Sequence, residues 1–290
     1  MTDPTMITLP DGVRLRTWTA GTTDGALPVL MINGGPGLPS YLQDVAALVD
    51  DLTAVTRYDQ RGTGGSPGDG PFTVAGQVAD VLDLLDALGH PRAVLVGHSY
   101  GTDLACQVLI ARPERVAGLV LLAGPFTEPW RAETRATEHA RRSPAQRRRL
   151  AELDALPHRT EDEETEFLAQ SWFTDHADPE RAWTWALESA RIQRPVNYAM
   201  NAQLNADKKT VPLEDRIEVL RRLLPAGSMI IGGAGDPRPA SALRRIGAAL
   251  RCEVVIIDGA GHDPWLERPD AFRSAFRTAV SRLVRPASGI

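Results

Sequence analysis

Two absences narrow the field before any motif is considered. The 290 residues include two cysteines, Cys106 and Cys252. Both sit among apolar neighbours, on an expected helix and an expected strand, so each reads as a buried free thiol, and no disulfide framework is expected. All but two of the 32 basic residues are arginine; Lys208 and Lys209 are the only lysines. Schiff-base chemistry therefore has almost no candidate nucleophile. No window reaches membrane-spanning length without charges, and Met1-Thr2-Asp3-Pro4 opens no basic-then-apolar leader. A soluble, cytoplasmic protein is expected. The net charge of -5 gives no reason to expect a nucleic-acid partner. With 43% hydrophobic residues, the chain can bury a large core without metal or disulfide staples.

What is present begins with alternation. Residues 6–19 alternate around Asp11-Gly12, a hairpin signal. Apolar runs follow at Val29 to Ile32, Ala54 to Tyr58, Ala93 to Val96 and Val116 to Leu122. Between them, Val78, Val81, Leu82, Leu85 and Leu88 repeat at helical spacing until Gly89. Continuously apolar strands alternating with helices predict a parallel sheet covered on both faces. After Gly124-Pro125 the chain turns polar and helical, through an arginine run at 141–149 and an acidic run at 161–164. Both runs read as solvated helix faces. Sheet logic resumes at Ser228 to Ile231 and Cys252 to Ile257. The expected division is a core of 1–126 and 212–290 with a helical cap at 127–211.

Chemistry concentrates in the turns after the strands. Gly97-His98-Ser99-Tyr100-Gly101 lies between an apolar strand and a helix-compatible stretch. Such a turn is a nucleophile elbow, with glycines where the backbone folds onto itself and a strained serine exposed at a helix start. Its partners follow in order. Asp236 lies in Gly232-Gly233-Ala234-Gly235-Asp236-Pro237, and His262 ends Asp258-Gly259-Ala260-Gly261-His262. Ser99, Asp236 and His262 are expected to act as nucleophile, orienting acid and base, with Asp258 the weaker candidate acid. His98 reads as a support beneath its loop; His90, His139, His158 and His176 default to surface or packing roles. Asn33-Gly34-Gly35-Pro36-Gly37 suits an oxyanion loop, and the backbone amides of Gly35 and Tyr100 are the expected donors. Asp59-Gln60-Arg61-Gly62-Thr63-Gly64-Gly65-Ser66 lacks the ending of a phosphate loop, and Asp59 is expected to pair with Arg61 within its turn.

Together these motifs resemble the proline iminopeptidase-like serine hydrolases of the α/β-hydrolase superfamily. The likeness rests on residues 34–37, 59–66, 97–101 and 259–262. It implies an α/β-hydrolase fold, a mostly parallel doubly wound sheet with a helical cap after the sixth strand. It also implies a triad enzyme needing no metal or organic cofactor. Asn33 stands where that family usually has histidine. Aminopeptidases of the group hold the substrate amine with cap glutamates, one within a Trp-Glu-Gly-like stretch. Residues 182–188 superpose no glutamate there, Glu188 would serve only in a different helix register, and aminopeptidase specificity is not expected to transfer. Trp183, Trp185, Glu188, Tyr198 and Met200 form the candidate substrate pocket, with Trp130, Trp172 and Phe173 as further cap aromatics. At least one cap tryptophan is expected to face the nucleophile and favour a partly apolar small molecule. The expected reaction is hydrolysis of a small ester, lactone or amide through an acyl-serine. Release of an N-terminal residue, acyl transfer or cyclisation, and a non-catalytic ligand sensor remain alternatives.

Overall fold

The computed structural model of the protein describes residues 3–285, so the reading of Met1 and Thr2 as leaderless lies outside the described residues. Eight strands form one sheet: β1 (Thr5–Thr8), β2 (Arg14–Ala20), β3 (Val29–Ile32), β4 (Val55–Tyr58), β5 (Ala93–His98), β6 (Val116–Leu122), β7 (Met229–Gly233) and β8 (Glu253–Ile257). Their spatial order is β1-β2-β4-β3-β5-β6-β7-β8. β1 and β2 form the antiparallel hairpin and β2 runs antiparallel to β4, while β3 through β8 are mutually parallel. This is the α/β-hydrolase fold.

The continuous apolar runs have a simple cause. A parallel strand shows alternate residues to opposite faces, and here helices cover both. Leu30, Ile32, Leu95, Leu119, Leu121 and Ile230 join one core with the helices Val74–Ala87, Tyr100–Ala111 and Ala240–Leu250. Their strand neighbours Val29, Met31, Val94, Val96, Val120 and Ile231 join the opposite core, under the Pro269–Val284 helix and its Phe272 and Phe276. The described residues hold no helix long and apolar enough to cross a membrane.

Strand order also places the site. From β3 the chain moves outward to β4, then returns past β3 to β5. The carboxyl ends of β3 and β5 therefore flank a switch point, where open α/β sheets leave a crevice. The loops holding Asn33 to Gly37 and Ser99 leave from those two ends.

Between β6 and β7 the chain forms six α-helices: five in an insertion, Arg131–Arg141, Pro144–Asp154, Glu161–Trp172, Ala182–Ile192 and Tyr198–Asp207, and then Ile217–Leu223 leading into β7. Leu168, Ala169, Phe173, Ala182, Ala186 and Ala190 give this insertion a small core of its own. Its last helix departs from that pattern, burying Met200 and Leu204 in the main core under the sheet. Two side-chain bonds fix it there: the amides of Phe72 and Val74 donate to Gln203 (2.8 Å) and Asp207 (2.7 Å).

Gly101 shows how tightly the elbow is built. A Cβ there would lie 2.1 Å from the Ile32 carbonyl oxygen, which is backbone and cannot swing aside. A Gly101→Ala substitution is expected to cost about 2 kcal/mol or more of unfolding free energy, read from denaturant melts. An unchanged midpoint would contradict this account of the strand–helix approach.

Candidate active site

The site assembles from loops at the carboxyl ends of β3, β5, β7 and β8. Ser99, the first residue after β5, has φ 52° and ψ −119°, a region that side-chain-bearing residues seldom occupy. Such a residue costs on the order of 1–3 kcal/mol and persists only where its surroundings hold it. Three contacts do so: its amide donates to the Leu122 carbonyl (2.9 Å), and its own carbonyl accepts from the amide (3.0 Å) and hydroxyl (2.6 Å) of Thr102. The side chain stands before the first turn of the Tyr100–Ala111 helix, whose opening amides have no intrahelical acceptor.

Asp236 follows β7 and His262 follows β8. His262 Nδ1 lies 2.6 Å from Asp236 Oδ2, with the aspartate side chain fully buried and the imidazole nearly so. Burial alone would raise the carboxyl's pKa, but the charges of His262 and Arg238, with their hydrogen bonds, hold it below its ordinary value. Asp236 therefore stays ionised and is placed to accept a hydrogen bond from Nδ1–H, the tautomer that leaves the lone pair on Nε2. Asp258 is exposed, and its side chain makes no hydrogen bond to His262 among the described residues.

Gly35, with φ 49°, faces Ser99 from the loop after β3. The neighbouring Gly34 amide is already donated to the Tyr41 hydroxyl at 2.8 Å. The Gly35 and Tyr100 amides donate to no acceptor among the described residues. Asn33 braces the loop from beneath, donating through Nδ2 to the Leu38 carbonyl (3.1 Å).

Ser99, Gly35 and Arg238 line two cavities that meet at the serine. The smaller, about 110 Å³, is also lined by His262, Leu38 and Trp172, with the carboxylates of Asp175 and Asp263. The larger, about 650 Å³, is lined by Tyr100, Phe126 and Trp130 and by both lysines of the chain. Among the described residues no cluster of His, Cys, Asp and Glu could hold a metal ion.

A sequence profile described as the alpha/beta hydrolase family matches residues 29–275. The chain belongs to that family. A putative carbamate hydrolase, RutD, from Variovorax paradoxus is 40% identical over 105 residues, covering 35% of this chain and 39% of the relative. The chain thus spans about two-fifths of the length of the curated relatives it matches. A thermophilic esterase from Thermogutta terrifontis superposes with a TM-score of 0.74 at 21% identity, covering 98% of this chain and all of that one. A proline iminopeptidase-related protein from Thermus thermophilus superposes with a TM-score of 0.67 at 25% identity, covering 98% of this chain and 99% of that one.

Within this family member, the five residues expected to form the substrate pocket lie elsewhere. Trp183 (38% exposed) and Tyr198 (44%) face solvent, and Glu188 is exposed too. Trp185 is buried against Arg181 and His176, and Met200 lies in the sheet's core. The helix register explains this. Ser189 and Gln193, four residues apart at the end of the Ala182–Ile192 helix, take the cavity side instead. Trp172 and Trp130 are the tryptophans of the insertion that line the cavities.

One further expectation is corrected. Asp59 does not pair with Arg61: it meets Arg16 (2.6 Å) and accepts the Ser40 and Gly65 amides. Arg61 meets the buried Asp80 and the exposed Asp11 instead. Gly62 and Gly64, both at positive φ, wrap the loop around Asp59 and leave Arg61 on its outside. His176, expected on a surface or in packing, is buried and lines the small cavity. Burial lowers its pKa, but Glu267, Asp263 and Asp175 outweigh that and raise it above the ordinary histidine value.

His98 does lie under the elbow. It sits between Tyr41, whose hydroxyl is 2.6 Å from Nδ1, and the His262 carbonyl, 3.2 Å from Nε2. Burial pushes its pKa well below 6.5. The folded protein therefore refuses a proton that the unfolded chain takes up below 6.5, so His98 subtracts stability as pH falls through that value. His176, being raised, acts in the opposite sense. A comparison of wild type with His98→Asn cancels the His176 contribution. The stability advantage of wild type should shrink by up to about 1.4 kcal/mol per pH unit between roughly pH 6.5 and 5. A difference independent of pH, measured by urea melts, would contradict the assignment.

Proposed function

We propose that the protein is a serine hydrolase that cleaves a small ester, lactone or amide through an acyl-serine, with Ser99 as nucleophile, His262 as base and Asp236 as orienting acid. The observation that carries this reading is a strained serine at a helix start, sharing a cavity with an imidazole whose far nitrogen is 2.6 Å from a buried carboxylate. Family membership supports it. Names borne by the relatives, carbamate hydrolase and esterase, agree with acyl-group chemistry.

The steps follow from proton affinities. His262 Nε2 takes the Ser99 proton as Oγ attacks the substrate carbonyl, and ionised Asp236 stabilises the imidazolium that forms. The developing oxyanion is held by the Gly35 and Tyr100 amides, which are in place before the charge appears; removing one such donor typically costs about 3 kcal/mol of barrier. The imidazolium then protonates the leaving group. Water, deprotonated by the same ring, frees the acyl group.

In this reading residues 127–211 act as a cap, dividing the crevice into the two chambers that meet at Ser99. The smaller chamber, closed by Trp172 and Leu38, takes the compact end of the substrate. The larger, with its Phe126–Trp130 aromatic pair, takes the bulkier end. A Trp172→Ala variant should broaden tolerance at the compact end. Across a series from acetyl to hexanoyl esters, kcat/KM of wild type should drop at least about tenfold more than that of the variant. Parallel profiles would contradict this role for Trp172.

A second reading, release of an N-terminal residue, gains support from Asp263. Its carboxylate lines the small cavity and pairs with no arginine or lysine among the described residues; His98 Nε2 lies 3.6 Å away. Paired amides with and without a free α-amine separate the readings, since only the second requires the amine. For both, Ser99→Ala should reduce kcat at least about 10⁴-fold with little change in ligand affinity. A variant keeping a substantial share of wild-type kcat would refute the shared mechanism.

A further inference from the structure

The residue two positions after the acid reaches back to it. The Arg238 amide donates to Asp236 Oδ1 at 2.9 Å, and its Nη1 approaches the same oxygen at 3.3 Å. Nη1 also donates to Asp175 Oδ1 (2.8 Å), with Nη2 at 3.4 Å from Oδ2. Asp175 belongs to the insertion between β6 and β7, and it touches the other half of the pair as well: its carbonyl accepts the His262 amide at 2.8 Å. One residue of the cap thus grips the base through its backbone and the acid through an intervening guanidinium.

We propose that Asp175 and Arg238 are positioning residues that set the basicity of His262 through Asp236, as a row of alternating charge running carboxylate, guanidinium, carboxylate, imidazole. The inference rests on the triad reading above. A cation beside Asp236 Oδ1 draws on the negative charge that stabilises the imidazolium, so Arg238 alone makes His262 a weaker base. Asp175 returns that charge, and its bidentate approach keeps the guanidinium from swinging into the substrate cavity that both residues line. Asp175 is 8% exposed, so solvent screens this exchange little.

Other ionisable groups face the row and stay in place throughout. Asp263 stands on the base loop and His98 under the elbow. His176 lies beside Asp175, Glu138 and Arg142 on and just past the first insertion helix, and Glu267 behind the base loop. The segment around Asp175 is also anchored independently of Arg238. Arg141 donates to the His176 (3.2 Å) and Gly235 (2.7 Å) carbonyls, and Glu267 accepts the Ala177 (2.8 Å) and Gly261 (2.7 Å) amides. Substitutions at 175 or 238 therefore leave a scaffold in which the charge effect can be read.

The test is the pH dependence of kcat/KM on an activated acetyl ester, in the full chain. Arg238→Met leaves two carboxylates unneutralised beside the imidazole, and the acid limb should move up by about one pH unit. Asp175→Asn leaves the guanidinium uncompensated, and the limb should move down by a similar amount. The double variant should return close to wild type. Arg238→Lys, which keeps the charge, should hold the limb near wild type even if kcat falls. Limbs that coincide, or that move the same way in both single variants, would overturn the proposal whatever happens to kcat. Titration of the His262 ring protons by NMR reads the same displacements in the resting protein. If wild type shows no Ser99-dependent turnover, the functional reading fails, and the ring titration still decides the linkage: opposed shifts support it and unopposed ones end it. Should Arg238→Met fail to fold, Arg238→Gln replaces it with the same expected direction.

Discussion

A carboxylate taken wholly out of water must be matched by charge and hydrogen bonds, and in this protein that requirement organises the candidate site. Asp236 has no exposed side-chain surface. Removed from solvent alone, it would take up a proton rather than remain ionised. It is kept ionised by an imidazole on one oxygen and by an amide and a guanidinium on the other. The direction of the His262 ring follows from satisfying that group, and Asp175 of the insertion reaches it through Arg238. The sheet supplies the platform: β7 and β8, paired in parallel, deliver the two loops side by side.

The opposite half of the site obeys a steric constraint. Ser99 is held at positive φ, and the surrounding glycines clear space for it. A Cβ on Gly34 would meet the Ser99 Cβ at 2.6 Å, and one on Gly97 would meet the Gly101 carbonyl oxygen at 2.4 Å. The loop after β3, the elbow and the following helix are therefore one close-packed unit. His98 joins this unit to the half holding Asp236 and His262, since its two nitrogens reach Tyr41 beside the loop after β3 and the His262 carbonyl.

The features legible in the sequence are those written in local signals. Apolar runs marked the strands, and Gly-x-Ser-x-Gly marked the turn, because each depends on residues adjacent in the chain. The fold class followed from those signals. The lining of the two cavities was not legible, because the side of an insertion helix that faces the serine depends on docking, not on the helix's own pattern. Glu188 and Trp183 are exposed while Ser189 and Gln193 face the cavity, and between Glu188 and Ser189 the distinction is one residue in register. Met200 could have been placed better: with Leu204 it makes an apolar pair at i, i+4, the mark of a helix packed on a core. Arg238 gave a faint signal by following the acid at two residues. Its partner Asp175, 63 positions earlier, gave none. The partners of Asp59 and Arg61 are hidden from the sequence for the same reason: each is satisfied by a residue brought close only by folding.

The central claim is that the hydroxyl of Ser99, and no other side chain, becomes covalently bonded to the acyl group. Fluorophosphonate labelling followed by peptide mapping tests this most directly, since the probe traps a nucleophile activated by its own base. The account predicts one equivalent of adduct per chain, located on Ser99 and lost on substitution of His262. A protein that turns over an ester while its adduct maps to another residue, or while Ser99 stays unmodified at full probe exposure, would contradict it.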